Sequence, residues 1–279
     1  MKIAISAEST VDLTKDLLNK YSVSTIPFSI YLGEENKLDG EIKTEEIIDY
    51  VNKYKILPKT GAVNQESFKE HFTNLLSEYD GVIHFSLSSE MSSAYNNAVS
   101  ASKEFDGKVY VVDTRTLSTG IALLCLYAHN LAKEGKELKQ VYEEVIKKIP
   151  KVQASFVLNR LDYLYKGGRC NSLVYFGANI LKIRPQIVVK DGKMISGKKF
   201  RGNFNYVVDC YCKAVLEENP NPDLSVAFLT YTTAEESVIN CTLQHLKDAG
   251  FKEIYITQAG GTITSHSGEN CLGILFMNN

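Results

Sequence analysis

The sequence predicts an α/β fold in two closely packed parts, and three observations carry that expectation. Short apolar runs of strand character alternate with segments whose apolar residues recur at helical spacing along most of the chain. The 279 residues suffice for one large or two medium domains, and a hydrophobic content of 44% can bury a sizeable core. After Lys151 the pattern changes and a hairpin signal appears. The expected domains are therefore residues 1–152 and 153–279, with no flexible linker between them.

The first strand is Ile3-Ala4-Ile5, followed by a helix over residues 13–21. Residues 26–32 read as extended, because Pro27 biases its neighbour away from helix. A helix over 44–53 is expected, with Thr44 as N-cap and Glu45 and Glu46 in its first turn. Asn64 caps the next helix, where Phe68, Phe72, Leu75 and Leu76 make a single apolar face. Strands over 82–87 and 109–113 enclose a helix over 92–105. Residues 117–133 form a helix apolar nearly all round, which must be buried and which offers Leu123, Leu124, Leu126 and Tyr127 as lining for an apolar ligand. Leu138, Val141, Val145 and Ile149 mark another helix, closed by Pro150.

In the second part, residues 154–158 form a strand and a short helix leads into Lys166-Gly167-Gly168-Arg169. The runs 186–190 and 193–199 flank Asp191-Gly192, a strong hairpin signal. Then come a helix over 203–218, a strand over 226–231, a helix over 234–249 and a strand over 254–257. The apolar run 272–277 finishes the series.

Several function classes are disfavoured. Lys plus Arg number 31 against 33 for Asp plus Glu, so there is no broad basic surface for nucleic acid or anionic lipid. The start carries no secretory leader pattern, and the most apolar stretch is broken by Ser118, Thr119, His129 and Asn130, so no membrane insertion and a cytoplasmic location are expected. Six cysteines without paired spacing read as reduced apolar residues, with no metal site and no cofactor expected. The nucleotide-binding glycine motifs, the nucleophile elbow and the His-Glu-x-x-His helix are all missing.

Ligands of α/β sheets bind beyond the carboxyl ends of strands, and here those loops are rich in hydroxyls. The first strand runs into Ser6, Ser9 and Thr10, and the strand ending at Leu87 runs into Ser88-Ser89-Glu90-Met91-Ser92-Ser93. Small hydroxyls and unpaired N–H groups at a helix start favour an anion. The Gly260-Gly261-Thr262 loop leads to His266, a group suited to hydrogen bonding or proton exchange near neutral pH. Arg169 follows a double glycine and Arg201 precedes Gly202, positions where a guanidinium can grip a carboxylate or phosphate.

Taken together and in order, the segments resemble the DegV family. The matching pieces are Glu8-Ser9-Thr10-x-Asp12-Leu13, Lys59-Thr60, Leu87-Ser88-Ser89-x-Met91-Ser92-x-x-Tyr95 and Val112-Asp113-x-x-x-x-Ser118-x-Gly120. The second half supplies Leu164-x-Lys166-Gly167-Gly168-Arg169, Ile183-x-Pro185, Asp191-Gly192, Lys199-x-Arg201-Gly202 and His266-x-Gly268. The resemblance implies an N-terminal three-layer α/β domain and a C-terminal α/β domain with a mixed sheet, holding a long-chain fatty acid in an internal tunnel. It implies no catalysis by the chain alone: the carboxylate, held by Thr60 and Ser92, is presented to a separate ATP-dependent fatty acid kinase that makes the acyl phosphate. Arg201 and His266 would assist transfer or docking, with Arg169 nearby.

Some positions depart from the family pattern. Gly61-Ala62-Val63-Asn64 replaces Ser-Gln-Pro-Ser after the threonine, and Ser93 replaces a glycine, adding a hydroxyl that could compensate for one lost. Glu269 brings a carboxylate near the expected head group, where it would repel an anion. Two other readings stand beside the carrier: a serine hydrolase or acyltransferase using Ser92 or Ser9 with His266, and a binder of another small anionic metabolite.

Overall fold

The computed structural model describes residues 1–172 and 183–279. Its first sheet is parallel and has the order β2 (Val23–Ile26), β1 (Ile3–Glu8), β6 (Gly81–Ser86) and β7 (Val109–Asp113). Helix α5 (Thr119–Lys133) packs on β1 and β6 from one face and α6 (Leu138–Lys148) packs on β6 and β7 beside it. Helices α3 (Gln65–Leu76) and α4 (Ala94–Ser102) pack against each other and against β6; α1 (Lys15–Lys20) leads into β2. Both central strands are buried along their whole length, as a parallel sheet covered by helices requires.

The second sheet is mixed, in the order β10 (Lys193–Phe200), β9 (Arg184–Lys190), β8 (Val152–Leu158), β13 (Cys271–Asn278), β11 (Pro222–Tyr231) and β12 (Glu253–Gln258). Only β11 and β12 run parallel. Sheet membership thus switches at Val152. Alternation divides the faces of this sheet. Val157, Ala227, Leu229, Leu272, Ile274 and Phe276 join the core under α8 (Phe204–Glu218) and α9 (Glu236–Asp248). Ala154, Phe156, Phe228 and Leu275 turn the other way, into the main core. Helix α5 reaches β8, β11 and β13 from that side and is shared between the two sheets, which explains its all-round apolar sequence.

A third sheet, β4 (Glu35–Leu38), β3 (Ser29–Leu32) and β5 (Lys59–Gly61), is antiparallel. It was not foreseen: the extended run 26–32 is split at Pro27, which has no N–H to donate to a ladder. The residues before it pair in the first sheet and those after it in the third. Two capping expectations differ in outcome. The Asn64 side chain accepts from Ser67 N at 2.9 Å, as expected of an N-cap. Thr44 is instead the first residue of α2 (Thr44–Tyr54), after the N-cap Lys43, and its hydroxyl donates to Ala259 O at 2.9 Å.

The stretch 261–267, read from sequence as loop, is a helix, α10 (Gly261–Ser267). Its capping comes from far along the chain. Asp12 Oδ1 accepts from Gly260 N at 2.8 Å, and Asp39 accepts from Gly261 N at 2.7 Å and Thr262 N at 3.2 Å. Glycine at 261 leaves room for Ile30, whose Cδ1 would lie 2.4 Å from a Cβ there and would have to move. The remaining helix, α7 (Asp162–Lys166), touches α10. Among the described residues, no helix is long and apolar enough to cross a membrane.

Candidate functional site

A cavity of about 240 Å³ lies between the loops at the carboxyl ends of the parallel sheet and the inner face of the mixed sheet. Phe28, Leu87, Met91 and Leu117 come from the first sheet's loops, Phe156, Met194 and Leu275 from the second sheet, and Leu164 and Ile263 from α7 and α10. The walls are therefore largely apolar. Helix α5 contributes less than expected: Leu117 and Ser118 just before it reach the cavity, while Leu123, Leu124 and Leu126 are consumed in packing between the sheets.

Most hydroxyls on the wall are already spent, so a hydrogen-bond count shows where a polar ligand group can be held. Ser118 donates to Asp12, and Thr230 bonds Thr119 and Thr257. Ser155 pairs with Tyr211, Thr232 donates to Gly268 O, and Ser267 donates to Ile263 O. What remains is a small group on the cavity wall. Thr60 Oγ1 pairs with His266 Nε2 at 2.9 Å. Thr262 Oγ1 is buried without a partner among the described residues, as is His266 Nδ1. Ser92 Oγ accepts from Ala94 N at 3.2 Å and keeps its own proton to donate. Thr262 and His266 lie one turn apart on α10, so they project to the same side.

Burial holds the His266 imidazole down to about 4, with the neighbouring Arg169 charge adding to the effect. The ring is neutral at pH 7 and acts as a hydrogen-bonding group, not a cation. Gly167 explains how it is seated, since a Cβ there would lie 2.7 Å from His266 Nδ1.

Outside the cavity lies a shallow hollow bordered by Lys55, Lys59, Lys166 and Arg169. Thr60, Arg169 and His266 line both spaces and so mark where the two meet. Arg169 is exposed and donates to Gly167 O at 2.6 Å.

The structure thus brings together Thr60, Ser92, Ser93, Arg169 and His266 on one cavity. Arg201 is exposed and lines neither space. The guanidinium that organises its turn is that of Arg184, which bonds Asn159 Oδ1 and donates to Gly202 O at 2.6 Å. Glu269 also stays off the wall, 3.6 Å from Arg160, so its charge is balanced there.

The loop that carries Ser92 is fixed from behind. Glu8 Oε2 accepts from Leu87 N at 2.7 Å and Asp113 accepts from Ser89 N at 3.1 Å. The tip of the β9–β10 hairpin closes over it: Ser88 Oγ donates to Gly192 O at 2.7 Å, and Arg115 donates to Asp191 O. Sequence reasoning missed Thr262, Gly167 and the two helix-capping aspartates. Of these, Asp12 sits in a recognisable motif, whereas nothing local singles out Asp39.

The serine–histidine reading finds little geometric support. Ser9 Oγ donates to Asp39 and accepts from Phe28 N, and His266 is engaged by Thr60. The serine that does meet histidine is Ser6, bonded to His71 at 2.8 Å and His84 at 2.9 Å, with Glu8 on the far nitrogen of His84 at 3.3 Å. That string has the order of a hydrolase triad, but Ser6, His84 and Glu8 are fully buried in the parallel sheet and no substrate can reach them.

A parallel α/β half is thus joined to a mixed-sheet half, with an apolar cavity bearing hydroxyls between them. The chain belongs to the DegV family: the family model described as an uncharacterised protein of the DegV family matches residues 2–279. It is similar to a fatty acid-binding protein of Thermotoga maritima, 29% identical over 279 residues, covering 98% of this chain and 96% of the relative. A DegV domain-containing protein of Caldanaerobacter subterraneus is 30% identical over 285 residues, with 99% and 98% covered. Among solved structures, a fatty-acid-binding DegV family protein of Thermus thermophilus superposes with a TM-score of 0.92 at 26% identity, covering all of both chains. A DegV lipid-binding protein of Thermotoga maritima gives 0.86 at 29% identity, with 99% of each chain covered.

Proposed function

We propose that this protein binds a long-chain fatty acid, with the tail in the apolar cavity and the carboxylate at Thr60, Ser92, Thr262 and His266, and that it presents the carboxyl group to a separate ATP-dependent fatty acid kinase. The observation that carries the binding part is unspent hydrogen-bonding capacity on the wall of an apolar cavity, part of it, at Thr60 and His266, where that cavity meets a basic hollow. With Nε2 protonated, the neutral imidazole donates to Thr60 Oγ1 and frees the threonine proton for the carboxylate. Ser92 and Thr262 supply further donors. Each buried methylene contributes roughly 0.8 kcal/mol, so a 16-carbon tail gives on the order of 10 kcal/mol before ordering costs.

Presentation to a kinase is supported by the hollow outside. A phosphoryl donor brought by a second protein would meet the carboxylate where Lys55, Lys59, Lys166 and Arg169 offset its negative charge. Attack of the carboxylate on the γ-phosphorus forms the acyl phosphate and releases ADP.

Denaturing extraction and mass spectrometry of the small molecules that copurify with the chain test the binding step. A stoichiometric fatty acid is expected, and a phosphorylated metabolite or an empty protein that refuses added fatty acid refutes it. The second step is tested by mixing loaded protein with ATP and a fatty acid kinase. Acyl phosphate should form, and its absence with kinases that process other family members would refute presentation alone.

A further inference from the structure

On the far face of the mixed sheet, away from the cavity, α8 and α9 bring Asp209, Cys241 and His245 together. The donor atoms of all three lie within 4.8 Å of one another. His245 Nε2 is 2.8 Å from Asp209 Oδ1, and Cys241 Sγ is 4.0 Å from the same oxygen. Cys241 and His245 are four residues apart on α9, so they share one face, and Asp209 meets them from α8.

We propose that Asp209, Cys241 and His245 form a site for a zinc-class divalent cation. A tetrahedral ion with bonds of about 2.0–2.3 Å separates its donors by roughly 3.5 Å, so the three atoms need only small side-chain rotations to close on it. One sulfur, one imidazole nitrogen and one carboxylate oxygen select zinc and its neighbours over magnesium or calcium, which take oxygen ligands. The partial burial of Asp209 and His245, 30% and 19% exposed, orders the donors and leaves the ion an entry path.

The surroundings fit this reading. Lys213 bonds Asp209 Oδ2 at 2.8 Å and so leaves Oδ1, the oxygen that faces His245, for the ion. It would serve as the outer partner that orients a ligating carboxylate. Cys212 is excluded, since it is buried in the core beneath and directed at Thr242 Oγ1, 3.9 Å away. Three protein donors leave the fourth tetrahedral position to water. Nothing in this site depends on the fatty acid reading, and either can fail alone.

The test is calorimetric titration of the full chain, treated with chelator and reductant, with Zn²⁺. One Zn²⁺ per chain is expected, with affinity lowered at least about tenfold in Cys241→Ser and in His245→Ala, and retained in Cys210→Ser. Co²⁺ added to the unmodified chain should give a thiolate-to-cobalt charge-transfer absorption that is lost in Cys241→Ser. Absence of saturable Zn²⁺ binding, binding unchanged in both ligand variants, or a cobalt spectrum without the thiolate band would each overturn the assignment.

Discussion

Thr60 is the place to press hardest, because its hydroxyl joins the two halves of the site. Thr60→Val keeps the branched shape and removes only the oxygen that His266 Nε2 meets at 2.9 Å. Since Nδ1 already has no partner among the described residues, the imidazole is then left with none there on either nitrogen. Leaving a buried polar group unsatisfied costs about 1–3 kcal/mol, and a hydrogen bond to a charged group contributes about 1.5–3 kcal/mol. The carboxylate loses the threonine donor and meets an unanchored ring, so fatty acid affinity should fall about ten- to hundredfold. Displacement of a fluorescent fatty acid measures it. Because Thr60 is oriented by His266, the double variant with His266→Ala should lose less than the sum of the single losses, with an interaction of about 0.5–3 kcal/mol. If Thr60→Val binds as tightly as the parent, or the two losses simply add, the hydrogen-bonded pair is not what holds the head group.

Gly167→Ala places a methyl 2.7 Å from His266 Nδ1 at a backbone φ of −68°, which any residue tolerates. It should therefore reproduce the binding loss of the His266 variant while melting within a few degrees of the parent, a comparison made by calorimetry and displacement together. Burial pushes the Asp12 carboxyl up to about 8, and it holds a proton in the folded chain that the unfolded chain has lost above about 4. Stability should then fall as pH rises through that window, by at most about 1.4 kcal/mol per pH unit. His71 and His266, held down to about 4 by burial, act the other way below their unfolded value near 6.5. Both histidines contribute equally to the parent and to Asp12→Asn, so the difference between their denaturant melts from about pH 6.5 to 8 isolates Asp12, and the variant should lack its fall in stability. Arg115→Ala removes the hold on Asp191 at the hairpin tip. Ligand dissociation should quicken and amide exchange at residues 191–194 rise, with little change in melting, as read by stopped flow and hydrogen exchange.

The alternation of strands and helices was legible because each element carries its own periodicity, and the hydroxyl-rich loop after β6 announced the site through sheet topology alone. Elements that depend on distant partners were not legible. Gly260 and Gly261 put helix-breaking signal at the start of the segment 260–267, yet Asp12 and Asp39 supply the capping that the segment itself lacks. The third sheet escaped notice because its strands are three or four residues long, too short for a period to register. Arg201 was singled out by the glycine beside it, and only the fold shows that a different arginine, Arg184, reaches Asn159 and Gly202 and organises that turn. Thr262 stands out only through a bond left unmade among the described residues, a property that exists only once its neighbours are in place.

The six-stranded sheet is one chain thick, and β13 is its partition. Leu272, Ile274 and Phe276 face the helical core, while Cys271, Gly273 and Leu275 face the ligand space. Neighbouring positions on this strand thus answer to different demands. Even-numbered residues are constrained by packing against α8 and α9, and odd-numbered ones by what the cavity must admit. Gly273 marks the tightest case, with room for no side chain, since a Cβ would lie 2.7 Å from Ser155 O. Variation along β13 should therefore sort by parity, one register reporting on folding and the other on ligand choice.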